Sequence, residues 1–195
     1  MEGTQAVAQT VTPAKLAHLV LLTRDLPRLR DWYRTVLQAT VTVEDPMLSF
    51  LSYDDEHHRI AFVGMPDLPP REAGPQVGLH HIAFTYRNLD ELLRTYERLK
   101  QQGIEPYWPI HHGVTVSMYY RDPDGNSVEL QVDAFATMDE AKAYMRSDSF
   151  RNNPIGVLYD PEELLRRHRA GESFETLRQR PALPAGKTPA DMLRL

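Results

Sequence analysis

Glu129, in NSVELQVD, stands between apolar residues in a segment that otherwise reads as a strand, and His80 and His81 interrupt the equally strand-like GLHHIAFTY. An ionised carboxylate among apolar neighbours is costly to bury unless it meets a cation or a metal. The chain has eight histidines and no cysteine, so a metal held here has only nitrogen and oxygen donors, and thiol nucleophiles and disulfides are excluded. The chemistry to look for is therefore an imidazole and carboxylate centre.

The elements that must position these groups repeat along the chain. LAHLVLLT reads as a strand, LPRLRDWYRTVL after Asp25 as a helix, and TVTVE, MLSFLSY and HRIAFVG as three short strands. After the proline- and glycine-rich connector MPDLPPREAGPQ the order returns: LHHIAFTY, a helix NLDELLRTYERLKQQ closed by Gly103, then strands near EPYWPI, VTVSMYYR and NSVELQVD. An offset of 63 carries His18 onto His81, Leu26 onto Leu89, Leu29 onto Leu92, Tyr33 onto Tyr96 and Val36 onto Leu99, with Asp25 and Asn88 both at helix caps. A shared cap, stripe and strand histidine indicate duplication. His81, not His80, is then the equivalent of His18.

Strand alternation gives these side chains a direction. His81 shares a face with Ala83 and Thr85, while His80 falls with Ile82 and Phe84 on the face expected to meet the helices; Glu129 lies opposite the Val128, Leu130 and Val132 row. A hairpin closed by the four residues DPDG sets Tyr119 against Val128. A five-residue or bulged turn sets it against Glu129, and the longer turn is the one expected if Tyr119 has the place in a site that the resemblance given below implies.

At 195 residues and 42% hydrophobic the chain suits one substantial core plus a tail. A net charge of -5 with no basic stripe argues against a nucleic-acid partner, and no apolar run approaches the roughly 20 residues that cross a bilayer, so no membrane association and a cytoplasmic protein are expected. The expected layout is a flexible N-terminus over 1–14, a paired-module domain over 15–133 with modules near 15–63 and 77–133, and a helical extension and arm over 134–195.

The paired βαβββ modules, with a histidine in the first strand of each and a glutamate in the last strand, resemble the vicinal oxygen chelate superfamily. Within it, HHIAF…IHHGVTVSMYYRDPDGNSVELQV, from His80 to Val132, closely resembles type I extradiol ring-cleaving dioxygenases. The resemblance implies an α+β fold whose two modules form an incompletely closed mixed barrel or cup with helices outside. It implies a metal triad of His18, His81 and Glu129, the facial arrangement that leaves positions open on Fe(II), or alternatively Mn(II), for a small aromatic diol and O2 as co-substrate. It implies an acid/base histidine at His58, in HHRIAFV, and substrate-facing His112 and Tyr119; His57 and His111 stay as alternatives on the residues alone. The stretch from His112 to Tyr119 is shorter than is usual in the family, and the extra metal-free module pair that double-length members carry ahead of this one is absent from these 195 residues.

Two other functions stay in view. An isomerase, glyoxalase-like or thiol-transferring enzyme on this scaffold usually takes a carboxylate ligand from the end of the first module, where this chain has RIAFV. A sequestering protein for flat aromatics needs no triad at all. In the tail, Thr137 caps MDEAKAYMRS and Asp160 with Pro161 opens PEELLRRHRAGESFETLRQR; FRNNPIGVLYD reads as a loop, RRHRAGE around His168 as a solvated helix face, and RPALPAGKTPADMLRL as an extended arm. The tail is expected to cover the open side of the sheet or to reach across a neighbouring subunit in a homo-oligomer, a dimer or higher.

Overall fold

The structure, a computed structural model, describes residues 10–72, 74 and 76–194. Residues 1–9 of the expected flexible N-terminus lie outside the described residues. The first module runs β1 (Leu19–Thr23), α1 (Leu26–Leu37), β2 (Thr40–Glu44), β3 (Leu48–Ser52) and β4 (Ile60–Gly64). The second runs β5 (His81–Thr85), α2 (Leu89–Lys100), β6 (Trp108–His111), β7 (Thr115–Arg121) and β8 (Ser127–Asp133). Both helices are 12 residues long, and each cap residue accepts a backbone N–H from the first turn, Asp25 from Arg28 at 3.1 Å and Asn88 from Glu91 at 2.9 Å. The stripe that the duplication requires is the one buried: Leu26, Leu29, Tyr33 and Val36 in α1, and Leu89, Leu92, Tyr96 and Leu99 in α2.

Each module makes its own mixed sheet, ordered β1-β4-β3-β2 and β5-β8-β7-β6, with the first strand parallel to the last and the remaining pairs antiparallel. Neither sheet closes into a barrel. One core nevertheless joins the modules, because the helix-facing rows of β3 and β4 and of β7 and β8 pack with both helices. Each fully buried Leu or Val in those rows contributes about 1.5–3 kcal/mol. Two polar contacts cross between the modules. Arg98 of α2 donates to the Thr35 and Val36 carbonyls at the end of α1, at 2.5 and 3.0 Å, and the buried Tyr33 hydroxyl donates to Asp122 at 3.1 Å.

Asp122 opens the turn between β7 and β8. Its Oδ1 accepts the backbone N–H groups of Asp124 and Asn126 at 2.9 and 2.8 Å, and its Oδ2 takes the Asn126 side chain at 2.8 Å. The loop is thereby five residues long, 122–126, and Arg121 pairs with Ser127 and Tyr119 with Glu129.

The tail departs furthest from expectation. α3 (Met138–Met145) begins after its cap Thr137 and α5 (Pro161–Arg169) after Asp160, as the caps require, but the segment read as a loop contains the end of α4 (Asp148–Asn152) and a strand, β9 (Val157–Leu158). β9 adds to the edge of the second sheet beside β6, where its backbone groups find partners that a sequence pattern of two residues does not announce. The long helical stretch is also broken: α6 (Phe174–Leu177) restarts at its own cap, Ser173. The tail therefore folds on its own chain's second sheet, and on both sides of it. On the helix side Leu164, Leu165 and Leu177 enter the main core, and Glu162 accepts from Tyr96 at 2.5 Å and pairs with Lys100 at 2.6 Å. His168, read as solvated, lies 3.4 Å from Asp90 of α2. On the other side a 3-10 turn, Pro189–Met192, sits against Trp108 in a second small core with Ile110 and Tyr119.

Where β9 meets β6 the backbones nearly touch. A Cβ at Gly156, whose φ is +121°, would lie 2.5 Å from the His111 carbonyl oxygen, and one at Gly113 would collide with the Tyr144 ring.

His111 ties this seam together and makes it pH-sensitive. The side chain is 4% exposed, its Nδ1 accepts the Gly113 N–H at 3.0 Å and its Nε2–H donates to the Arg178 carbonyl at 2.9 Å. Burial pushes its pKa down from 6.5 to about 4. As pH falls, the unfolded imidazole takes its proton first, so the stabilising neutral form is fully effective above about 6.5 and its contribution is lost between 6.5 and 4. Urea midpoints at pH 7 and pH 5 should differ for the wild-type protein by more than for His111→Gln, and equal differences would exclude His111 as the source.

Candidate active site

The face of the second sheet that turns away from α2 carries Ser117, Tyr119, Arg121, Ser127, Glu129 and Gln131, because alternation sends Val116, Met118, Tyr120, Val128, Leu130 and Val132 into the core. His81 opens β5 opposite Ser127, one strand from Glu129. Its Nε2 lies 3.1 Å from Glu129 Oε2, and its ring meets the Tyr119 ring edge-on at 5.2 Å. His112, one residue past the end of β6, sets its Nε2 at 3.1 Å from the Tyr119 hydroxyl. His81, Glu129, Tyr119 and His112 are thus one contiguous group.

The electrostatics of the group follow from burial. Glu129 is 4% exposed, which alone would raise its pKa, yet hydrogen bonds from His81 and Ser117 and the nearby His112 hold the carboxyl below its ordinary value. Burial first, and then the Glu129 charge, push the Tyr119 phenol up, so it stays protonated and available as a donor. Burial lowers His112, keeping it neutral; its Nδ1–H donates to the Ile155 carbonyl, which leaves Nε2 as an acceptor. His111 and His112, equivalent on sequence, are separated here: the first points to the helix side and the tail, the second to Tyr119.

The first sheet holds the other expected residues. His18 immediately precedes β1, and its ring lies 4.2 Å from that of His58, which stacks on Phe50 at 4.7 Å. His57 is the more exposed neighbour, linked to His58 by a 2.6 Å Nδ1 to Nδ1 contact. Burial, together with the His18 and His57 charges, lowers the pKa of His58. Of the two, His58 is the one packed against His18.

As a metal site the arrangement is two-thirds gathered. Two donors about 2.1 Å from one ion and at right angles lie about 3.0 Å apart, so the 3.1 Å separation of His81 Nε2 and Glu129 Oε2 suits adjacent coordination positions. Imidazole nitrogen with carboxylate oxygen is a donor set that Fe(II) and Mn(II) accept. His18, the third expected ligand, turns to His58 instead, and among the described residues no three His, Asp or Glu side chains converge on one point.

One neighbour lies elsewhere than the sequence suggests, and another went unnoticed there. His80, expected on the helix side, is exposed and places its Nδ1 2.6 Å from His81 Nδ1, so it braces the imidazole from behind. Trp108 stacks on Tyr119 at 4.5 Å. Its signal was its position at the start of β6, opposite Tyr119 once the strands are in register.

Residues 15–130 match the model of the Glyoxalase/Bleomycin resistance protein/Dioxygenase superfamily. The chain is 54% identical over 153 residues to Biphenyl-2,3-diol 1,2-dioxygenase 2 of Rhodococcus globerulus, covering 78% of this chain and 80% of that one. It is 48% identical over 164 residues to Biphenyl-2,3-diol 1,2-dioxygenase 3 of the same organism, covering 83% and 85%. A glyoxalase/dioxygenase from Nostoc punctiforme shares the fold, with a TM-score of 0.53, 20% identity, and coverage of 66% of this chain and 99% of that one. With the family model spanning more than half of the sequence and two relatives near 50% identity, the chain belongs to the glyoxalase/bleomycin resistance protein/dioxygenase superfamily, among its extradiol ring-cleaving dioxygenases.

Proposed function

We propose that this dioxygenase uses Fe(II), held by His18, His81 and Glu129, to open the ring of biphenyl-2,3-diol or a similar uncharged catechol beside its two hydroxyls. The observation that carries the reading is the His81 and Glu129 pair, at 3.1 Å and on one sheet face with a protonated Tyr119 and a neutral His112. The metal, when bound, supplies a centre on which the diol and dioxygen meet and exchange electrons. One carboxylate with two neutral imidazoles leaves a dication enough positive charge to attract a diol in its ionised form. His18 joins the set as the duplicate of His81, and Mn(II) is the alternative ion.

The chain's own groups then divide the work. Tyr119 donates its hydroxyl hydrogen to a substrate-derived oxygen, and His112 Nε2 accepts from a hydroxyl or passes that proton on. His58 takes the proton the diol gives up on binding: its lowered pKa leaves it unprotonated at neutral pH, ready to act as a base. Val20 and Leu22, 53% and 55% exposed on the same face of β1 as His18, offer an apolar surface for an uncharged ring. The two Rhodococcus globerulus relatives, by their names, act on a two-ring diol, which supports the same class here.

Anaerobic loading with Fe(II), followed by catechol or biphenyl-2,3-diol under air, should give a yellow ring-opened product with matching oxygen uptake, and neither without Fe(II) or Mn(II). One metal per chain and no product from either diol would refute the proposal. Glu129→Ala should lower activity by about 100-fold or more, and His18→Ala should lower metal stoichiometry. Full metal binding by His18→Ala would remove His18 from the ligand set. Tyr119→Phe tests the donor separately: metal loading should persist while kcat falls by about 10- to 1000-fold.

A further inference from the structure

Trp108 lies outside every role assigned above, yet it is 4% exposed and makes three specific contacts. Its Nε1–H donates to the Met192 carbonyl at 2.8 Å, its ring stacks on Tyr119 with centroids 4.5 Å apart and planes 30° from parallel, and it meets the His112 ring at right angles at 5.9 Å. The carbonyl is available because the last carbonyls of a helical turn have no partner within it. That turn is built to hold its place. Asp191 accepts both the backbone N–H and the hydroxyl of Thr188 at 2.7 Å, and Met192 and Leu193 pack into the small core that Trp108, Ile110 and Tyr119 form.

The hydroxyl end of Tyr119 is held by His112, and the His81 and Tyr107 rings meet it at steep angles at 5.2 and 6.4 Å, but the neighbour stacked on its face is the indole. A phenol free to tilt there would move its hydroxyl relative to Glu129 and His81, and small displacements of a hydrogen-bond donor are expensive in rate. Trp108 itself touches neither His81 nor Glu129.

We infer that Trp108 is a positioning residue, pinned by the C-terminal 3-10 turn through the Met192 carbonyl, which fixes the ring of Tyr119 and so the location of its hydroxyl. The tail thereby takes part in catalysis without reaching the substrate. This rests on the proposed role of Tyr119, and the test separates the two.

The chain has two tryptophans, so a Trp32→Phe background makes Trp108 the only emitter. In that background three variants are compared with the intact chain: removal of residues 188–195, Trp108→Phe, which keeps a stacked ring, and Trp108→Leu, which does not. Removing the turn should red-shift the emission and speed amide exchange across Thr115–Arg121. It should lower kcat about tenfold with KM within about twofold and one Fe(II) still bound per chain. Trp108→Leu should match the shortened chain in kcat, and Trp108→Phe should keep more. Unchanged exchange with unchanged kcat in the shortened chain and in Trp108→Leu overturns the inference. So does a loss of Fe(II) that parallels the loss of kcat, because the turn would then be holding the fold and not one ring. An intact, Fe(II)-loaded chain inert toward both diols would sink the functional reading, and the exchange measurement would still decide whether the turn orders Tyr119.

Discussion

A carboxylate buried in the middle of a strand constrains everything around it. Glu129 keeps its charge at 4% exposure because His81 reaches it from the next strand and Ser117 and His112 support it, and that meeting depends on the register of β5, β7 and β8. Register has a period of two, so a turn one residue shorter after β7 would bring Val128 opposite Tyr119, one residue longer would bring Leu130 there, and either would send Glu129 into the core. Asp122 sets the turn length by collecting the amides of Asp124 and Asn126, and it is held in turn by the Tyr33 hydroxyl of the first module. The placement of one charge in the second module thus depends on a helix of the first.

Duplication gives two scaffolds of the same plan and leaves their open faces free to differ. The buried helix stripes are alike, with Leu26, Leu29 and Tyr33 matched by Leu89, Leu92 and Tyr96, since both helices have the same length and each packs on a sheet of the same strand order. The uncovered faces have diverged: the first offers His18, His58 and exposed Val20 and Leu22, the second a carboxylate, a phenol and a neutral imidazole. The proposed substrate, a flat apolar diol, would use both kinds of surface, one to bind its ring and one to handle its oxygens.

Much of this was legible in the sequence because it rests on local rules. Caps at Asp25 and Asn88 and the stripes behind them follow from spacing, the longer turn after Arg121 from the place beside Glu129 that the family resemblance gives Tyr119, and each is found where expected. What was not legible depends on contacts far along the chain. β9 is two residues long and is a strand only because the edge of β6 is there to pair with it. His111 and His112 share a strand end, where alternation lapses, and the carbonyls of Arg178 and Ile155 in the tail decide which way each turns. His80 was misplaced for the same reason, since it precedes the first paired residue of β5 and is not bound by that strand's alternation. The turning of His18 toward His58 is likewise a matter of neighbours, which no repeat register encodes.

The contact of Gly156 with the His111 backbone, and of Gly113 with Tyr144, has a further meaning for how the molecule can change. Gly156 has no room for a methyl group against the His111 and His112 backbone, so two stretches of chain more than 40 residues apart are fitted to each other there at the level of the main chain, whereas Gly113 is fitted to the Tyr144 side chain. A segment joined in that manner cannot be swapped for another of similar composition. It has to change together with the strand it lies on.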